Sequence, residues 1–153
     1  MRASDGDWDF ISGRIVDGAH RLPIRIYYED TDFTGLVYHA SYLRFMERGR
    51  SDFIRLLGIE QGELFEQTAK EAPGFHFVVR SMKIEFLKPA RVDDVIEVVT
   101  MPGEVGGASI ILKQSVVRGG ETLVTADVRI AFVAGEKPQR IPASLRKALR
   151  ADG

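Results

Sequence analysis

Apolar positions alternate with polar ones from Pro23. Ile24, Ile26 and Tyr28 fall on one side of an extended segment, and Arg25, Tyr27 and Glu29 on the other. That period of two predicts a half-buried strand over 23–29, and a proline suits its first position. From Ser41 the period changes. Tyr42, Phe45, Met46, Phe53, Ile54 and Leu57 follow helical spacing, with Gly49 on the same stripe. This predicts an amphipathic helix of about four turns ended by Gly58. Residues 60–72 read as a short second helix. After Pro73-Gly74 the pattern is strand: 75–90, in which Met82, Ile84 and Phe86 alternate with Ser81, Lys83 and Glu85, then three more long apolar stretches. Gly119-Gly120 predicts a hairpin turn between the last two. "IPASLRKALR" predicts a short closing helix.

Strand, long helix and four further long strands make an α+β layer, a curved five-stranded antiparallel sheet wrapped round one helix. Consecutive strands are expected to pair. The division expected is a polar lead-in over 1–22, one domain over 23–145 and a tail over 146–153. Trp8, Phe10 and Ile11 are the only bulky apolar cluster of the lead-in. They could dock on the body or on a partner. A mid-helix glycine costs about 1 kcal/mol relative to alanine. Gly49 therefore either permits a close approach of the helix to the sheet or is without consequence. The face turned from the helix is solvated or used in assembly, and its valines and isoleucines favour assembly.

Composition narrows the function classes. The 153 residues suit one domain, with 44% hydrophobic and 28% charged residues typical of a globular chain. A net charge of -1 gives no field to draw nucleic acid. The absence of cysteine excludes disulfides, thiolate metal sites and a cysteine nucleophile. No apolar run approaches the ~18 residues of a membrane span, and the first twenty residues lack the apolar core of a signal peptide. A cytoplasmic protein is expected.

The chemistry concentrates in "YYEDTDFTGLVYHASY", residues 27–42. Glu29, Asp30 and Asp32 precede Gly35, Tyr38 and His39 at the joint between strand and helix. Unpaired N–H groups and the positive end of the helix dipole gather at such a joint, where they can stabilise an oxyanion. A carboxylate beside them can act as general base or nucleophile. Asp32 can equally be a helix cap or turn former, and Asp30 and Glu29 solvated turn residues or ion-pair partners. A D-x-D with one histidine is a weak metal pattern. There is no G-x-S-x-G elbow, P-loop or G-x-G-x-x-G.

The stretch Y-x-x-D-T-D-x-x-G-x-V-Y-H-x-x-Y, complete from Tyr27 to Tyr42, resembles the signature of the hot-dog-fold acyl-CoA thioesterases. The subgroup is the Tol-Pal-associated (YbgC-type) one, related to 4-hydroxybenzoyl-CoA thioesterase. The likeness spans about residues 23–145. It implies a hot-dog fold and hydrolysis of acyl-CoA to an acid and free CoA, with no metal or redox cofactor. By position it implies that Asp32 is the catalytic carboxylate and that the His39 backbone N–H polarises the thioester carbonyl. The His39 ring assists, Gly35 is the turn glycine, and Tyr38 belongs with His39 at the substrate. It further implies a homodimer or homotetramer with the site at the junction between copies. Relatives often carry a base in the turn before the fourth strand, suited to a CoA phosphate. Here that turn reads "GEVGGAS", which leaves Arg80, Lys83, Lys88, Arg91 and Lys113 elsewhere. Two alternatives to the thioesterase remain: a hot-dog dehydratase, and a non-enzymatic adaptor for acyl carrier protein or a cell-envelope assembly.

Overall fold

The computed structural model describes residues 11–60 and 62–151. Its elements are β1 (Arg14–Val16), β2 (Ala19–Arg25), α1 (Ser41–Glu60), α2 (Gly62–Glu71), β3 (Phe75–Phe86), β4 (Val95–Val105), β5 (Ser109–Arg118), β6 (Glu121–Ala134), β7 (Lys137–Pro138) and α3 (Ala143–Ala151). The strands form one antiparallel sheet in the order β1-β2-β4-β5-β6-β3, with β7 on β6. The helix-wrapped antiparallel sheet is the expected hot-dog architecture. Among the described residues no helix is long and apolar enough to cross a membrane.

The long helix lies flat on the middle of the sheet. Tyr42, Phe45, Met46, Phe53 and Leu57 of α1 are buried against Ile96 and Val98 of β4 and Leu112 and Val116 of β5. Gly49 is the point of closest approach. A Cβ there would stand 2.7 Å from Val98 Cγ1 and 3.2 Å from Thr100 Oγ1, so the close-approach reading of this glycine is the correct one. Gly58 does not end the helix, which runs on to Glu60. A Cβ at Gly58 would stand 3.2 Å from the Phe65 ring; this glycine lets α2 fold back against α1.

Four further expectations are corrected. Among the described residues the sheet has seven strands, because a short hairpin pairs Arg14 with Arg21 and Val16 with Ala19, and β7 adds two residues. Sheet structure thus begins within 1–22, where Ala19, His20 and Leu22 are buried. Of the apolar lead-in cluster, Trp8 and Phe10 lie outside the described residues, while Ile11 is exposed. Residues 146–151 are not a tail: they continue α3, whose Leu145 and Leu149 enter the core one helical turn apart. Strand β2 stops at Arg25, before Tyr28, because Asp30 Oδ2 accepts the Tyr27 amide at 2.8 Å and curls Tyr28–Asp30 into a 3-10 turn. Finally, β3 pairs with β6 rather than β4. The 87–94 segment crosses the ends of the intervening strands, where Leu87 and Lys88 amides bond Leu123 O and Arg118 Nη1 reaches Pro89 O.

The face turned from α1 is less apolar than expected. It carries Lys83, Glu85, Lys113, Asp127 and Arg129, with Lys113 and Asp127 paired at 2.9 Å. Among the described residues the open feature is instead an edge, where β3 bonds β6 on one side only.

A buried cluster fastens the first hairpin to the helix. Asp52 of α1 accepts His20 Nε2 at 2.7 Å and the Gly13 amide at 2.8 Å on Oδ2, and Arg55 at 3.0 Å on Oδ1. Burial pushes this carboxyl up, but the hydrogen bonds from His20, Arg55 and Gly13 outweigh it and hold it below the usual aspartate value. Asp52→Asn should therefore lower stability by about 2–4 kcal/mol at neutral pH. Because the folded pKa is depressed, that contribution is complete above the ordinary value of 3.8 and is lost as pH falls through the folded one. Urea midpoints of the two proteins should differ at pH 7 and converge as pH falls through the folded pKa, which lies below 3.8; equal midpoints at pH 7 would remove the cluster from the account.

Candidate active site

The signature folds as a tight loop stitched to the 87–94 crossover. Asp32 N bonds Leu36 O at 3.0 Å and Gly35 N bonds Asp32 O at 3.1 Å, closing a turn in which Gly35 has φ +82°. That left-handed conformation favours glycine. Val37 N then bonds Ala90 O at 2.9 Å and Val92 N bonds Gly35 O at 3.2 Å. The crossover is itself held from beneath. Tyr42 Oη accepts the Ala90 amide at 2.9 Å, and Asp94 is clamped by Arg118 at 2.8 Å. The pattern analysis placed Tyr42 on the helix stripe and in the signature but missed that its hydroxyl positions the crossover, and it missed the crossover itself.

The three acids separate into distinct roles. Glu29 is exposed. Asp30 is buried, not solvated: its side chain caps the 3-10 turn, and its carbonyl accepts Tyr38 N at 3.0 Å and Ser41 Oγ at 3.1 Å. It fixes the start of the helix. Asp32 lies on the loop with Oδ1 accepting Thr34 Oγ1 at 2.5 Å and Thr34 N at 2.8 Å. The Thr34 hydroxyl first, and then its amide, hold the Asp32 carboxyl below the usual value. Among the described residues Oδ2 has no partner, so an ionised oxygen remains available.

The free amides sit earlier than a helix start at Ser41 implies. Ser41, Tyr42 and Leu43 amides are taken by the carbonyls of Tyr38, His39 and Ala40. The amides of His39 and Ala40 find no acceptor among the described residues. The His39 ring lies 4.7 Å from Tyr38 and 6.0 Å from Phe86, centroid to centroid. His39, Val37, Tyr42, Phe86 and Pro89 line a pocket of about 210 Å³. Gly35 shapes the turn and Tyr38 is half exposed beside His39. Asp32 is not among the residues lining that pocket, so the chain brings His39 and Tyr38 together but does not close Asp32 over them.

A larger groove of about 590 Å³ runs between α1, α2 and β3, walled by Ile54, Phe65, Phe75, Phe77 and Ile130. Glu47, Arg50 and Ser51 mark its polar side. Aromatic rings stand out around the acid loop: Phe33 is 98% exposed and Tyr28 79%. Among the described residues no three His, Asp or Glu side chains converge as metal ligands would.

Comparison with known proteins identifies the family. The profile of the thioesterase superfamily matches residues 34–133, a span that begins after Asp32 and takes in Gly35, the long helix and strands β3 to β6 up to residue 133. The chain belongs to this superfamily. Within it, the chain is 38% identical to the acyl-CoA thioesterase YbgC of Haemophilus influenzae over 136 residues, 88% of this chain and 96% of that protein. It is 40% identical over 128 residues to the acyl-CoA thioester hydrolase YbgC of Escherichia coli, 82% of this chain and 91% of that one. Among solved structures, a probable thioesterase from Bartonella henselae superposes with a TM-score of 0.67 at 40% identity, covering 82% of this chain and 99% of its own.

The thioesterase loop makes a direct prediction about its acid. In an NMR titration the Asp32 carboxyl should ionise below 3.8. Thr34→Val, which removes the hydroxyl donor, should move it upward toward that value. An Asp32 pKa unaffected by Thr34→Val would show that the loop does not tune it.

Proposed function

We propose that the protein hydrolyses acyl-CoA thioesters to a carboxylic acid and free CoA. What supports this reading is that one short segment carries both an ionised Asp32 with one oxygen free and, at the start of α1, His39 and Ala40 amides with no acceptor among the described residues. The thioester carbonyl accepts from the amides, which stabilise the oxyanion as attack proceeds. The reacting carboxylate is Asp32. An ionised carboxylate can act as general base on water, or it can attack the carbonyl directly and expel the CoA thiolate to leave a mixed anhydride. Water then resolves the anhydride. A thioester is already activated, and the reaction calls on no metal. His39 contributes its amide foremost, with Tyr38 packed on its ring and Gly35 setting the turn. YbgC relatives at 38–40% identity support the substrate class.

The working unit is a homodimer at minimum. The twelve-residue edge of β3 exposes Val78 and Val79, and a free edge of that length calls for a partner strand. A two-fold axis across β3 pairs it antiparallel with its copy. The Phe86 end, with His39 and the exposed Phe33 loop, then meets the partner's Phe75 end, where the apolar groove lies. That arrangement supplies what one protomer lacks, a wall over the acid loop and a receptacle for the acyl group.

Release of free thiol across a panel of acyl-CoA chain lengths tests the reading. Asp32→Asn should fold normally, sediment as the native dimer or tetramer, and lose about 10²–10⁴-fold in kcat/KM. Native-like turnover in a folded Asp32→Asn protein would overturn the assignment, and a native monomer would overturn the shared site.

A further inference from the structure

We propose that the groove between α1, α2 and β3 is a docking site for the chain's own residues 5–10, "DGDWDF", which the acyl group of a substrate displaces. The docking stands on the groove and the sequence; only the competition with substrate rests on the thioesterase reading. Ser12 and Gly13 are fastened at the rim of this groove. Arg55 Nη2 donates to Ser12 Oγ, and the Gly13 amide donates to Asp52 Oδ2 at 2.8 Å. Arg55 and its neighbour Ile54 line the groove. The opposite wall is close. The Phe65 ring lies 3.2 Å from where a Cβ on Gly58 would stand, and Gly58 is three residues, about 4.5 Å, along α1 from Arg55. Trp8 precedes Ser12 by four residues, which an extended chain spans with about 13 Å. From the anchored Ser12 that reach covers the way to Phe65.

Segment and groove match in kind. Trp8 and Phe10 alternate with Asp7 and Asp9, so in an extended segment both rings fall on one side and both acids on the other. The groove is divided the same way. Its floor is apolar, with Ile110 and Ile130, and Phe65, Phe75 and Phe77 stand beside it. These rings meet edge to face, Phe65 and Phe75 at 6.4 Å and Phe75 and Phe77 at 6.2 Å. They are only partly buried, which leaves ring surface for further aromatic contacts. The rim is charged. Arg50 has no carboxylate within salt-bridge distance among the described residues, and Gln114 Oε1 holds its guanidinium at 3.0 Å. Burial pushes that guanidinium below the usual arginine value, more than Glu47 restores it. Glu47 on the same rim accepts Ser51 Oγ at 2.5 Å. A carboxylate laid beside Arg50 favours its charged form, and Asp7 and Asp9 supply one on either side of Trp8. The groove volume of about 590 Å³ is that of a small-molecule site, so the two rings fill space that an acyl group needs.

Trp8 is the chain's single tryptophan, so intrinsic fluorescence of the full-length protein reports on this segment alone. Its emission should be blue-shifted from that of a synthetic peptide of residues 1–12. Dodecanoate, an apolar chain with one carboxylate, should return it to the peptide's wavelength. Asp7→Lys/Asp9→Lys should give the peptide-like emission without fatty acid, at unchanged far-ultraviolet circular dichroism. Ser51→Cys places the only thiol of an otherwise cysteine-free chain at the rim; a dansyl group on it should receive energy from Trp8 and lose it when dodecanoate is added. Trp8→Ser/Phe10→Ser should lower KM for dodecanoyl-CoA about fivefold at unchanged kcat, as follows if the segment fills about four-fifths of native grooves, and leave acetyl-CoA unaffected. Peptide-like emission in the native protein would overturn the docking. So would a blue-shifted emission that dodecanoate leaves in place, which would put Trp8 elsewhere, or one that reddens on dilution, which would assign the groove to a second copy's segment. An unchanged KM in Trp8→Ser/Phe10→Ser would overturn the competition. A native protein that hydrolyses neither thioester would sink the thioesterase reading, and the fluorescence would still decide the docking.

Discussion

The structure depends on how closely α1 can lie on the sheet. At Gly49 the helix backbone meets Val98, Thr100 and Gln114 with no room for a methyl group. The contact is also polar. Gln114 Nε2 donates to Met46 O at 3.0 Å and Thr100 Oγ1 at 2.9 Å, while Arg50 donates to Gln114 Oε1 at 3.0 Å. An amide buried in that layer must satisfy its donors and acceptor in one arrangement. Apolar packing alone would let the helix slide; the Gln114 network sets its register along β4 and β5.

Register matters because the site is built at the helix's first turn. The amides of His39 and Ala40 point where the start of α1 puts them, and Asp30 and Tyr42 tie that start to the acid loop and the crossover. The chain of contacts runs from the sheet through Gly49 and Tyr42 to Ala90, and from Ala90 to Val37. The links are close packing at Gly49, the bond of the Ala90 amide to the Tyr42 hydroxyl and the backbone bond from Val37 to Ala90, so the loop bearing Asp32 is placed by the core.

The amphipathic stripe of α1, the turn at Gly119-Gly120 and the long strands were legible in the sequence because each is a local pattern with one cause. The order of strands was not. Nothing local in 87–94 distinguishes a hairpin from a crossover, and the answer lies in long-range bonds to Leu123 and Val37. The end of β2 was hidden for a similar reason. Tyr28 continues the alternation by residue type, yet Asp30 captures the Tyr27 amide and turns the chain. Gly58 carried the usual helix-stop signal, which Phe65 overrode by packing on it. The acid loop was legible as a motif, but only the fold separates buried Asp30 from Asp32 and shows Thr34 holding the Asp32 carboxyl below its usual value.

Placement of the helix is therefore the claim to test, and kcat/KM of Gly49→Ala against Gly49→Ala/Val98→Ala tests it most directly. The added methyl group meets Val98 Cγ1 at 2.7 Å and should lift α1 from the sheet, costing about tenfold or more in a protein that still folds. Trimming Val98 makes room and should restore part of the loss. Unchanged kcat/KM in folded Gly49→Ala would contradict the account, for it would mean that the site does not take its geometry from the contact of helix with sheet.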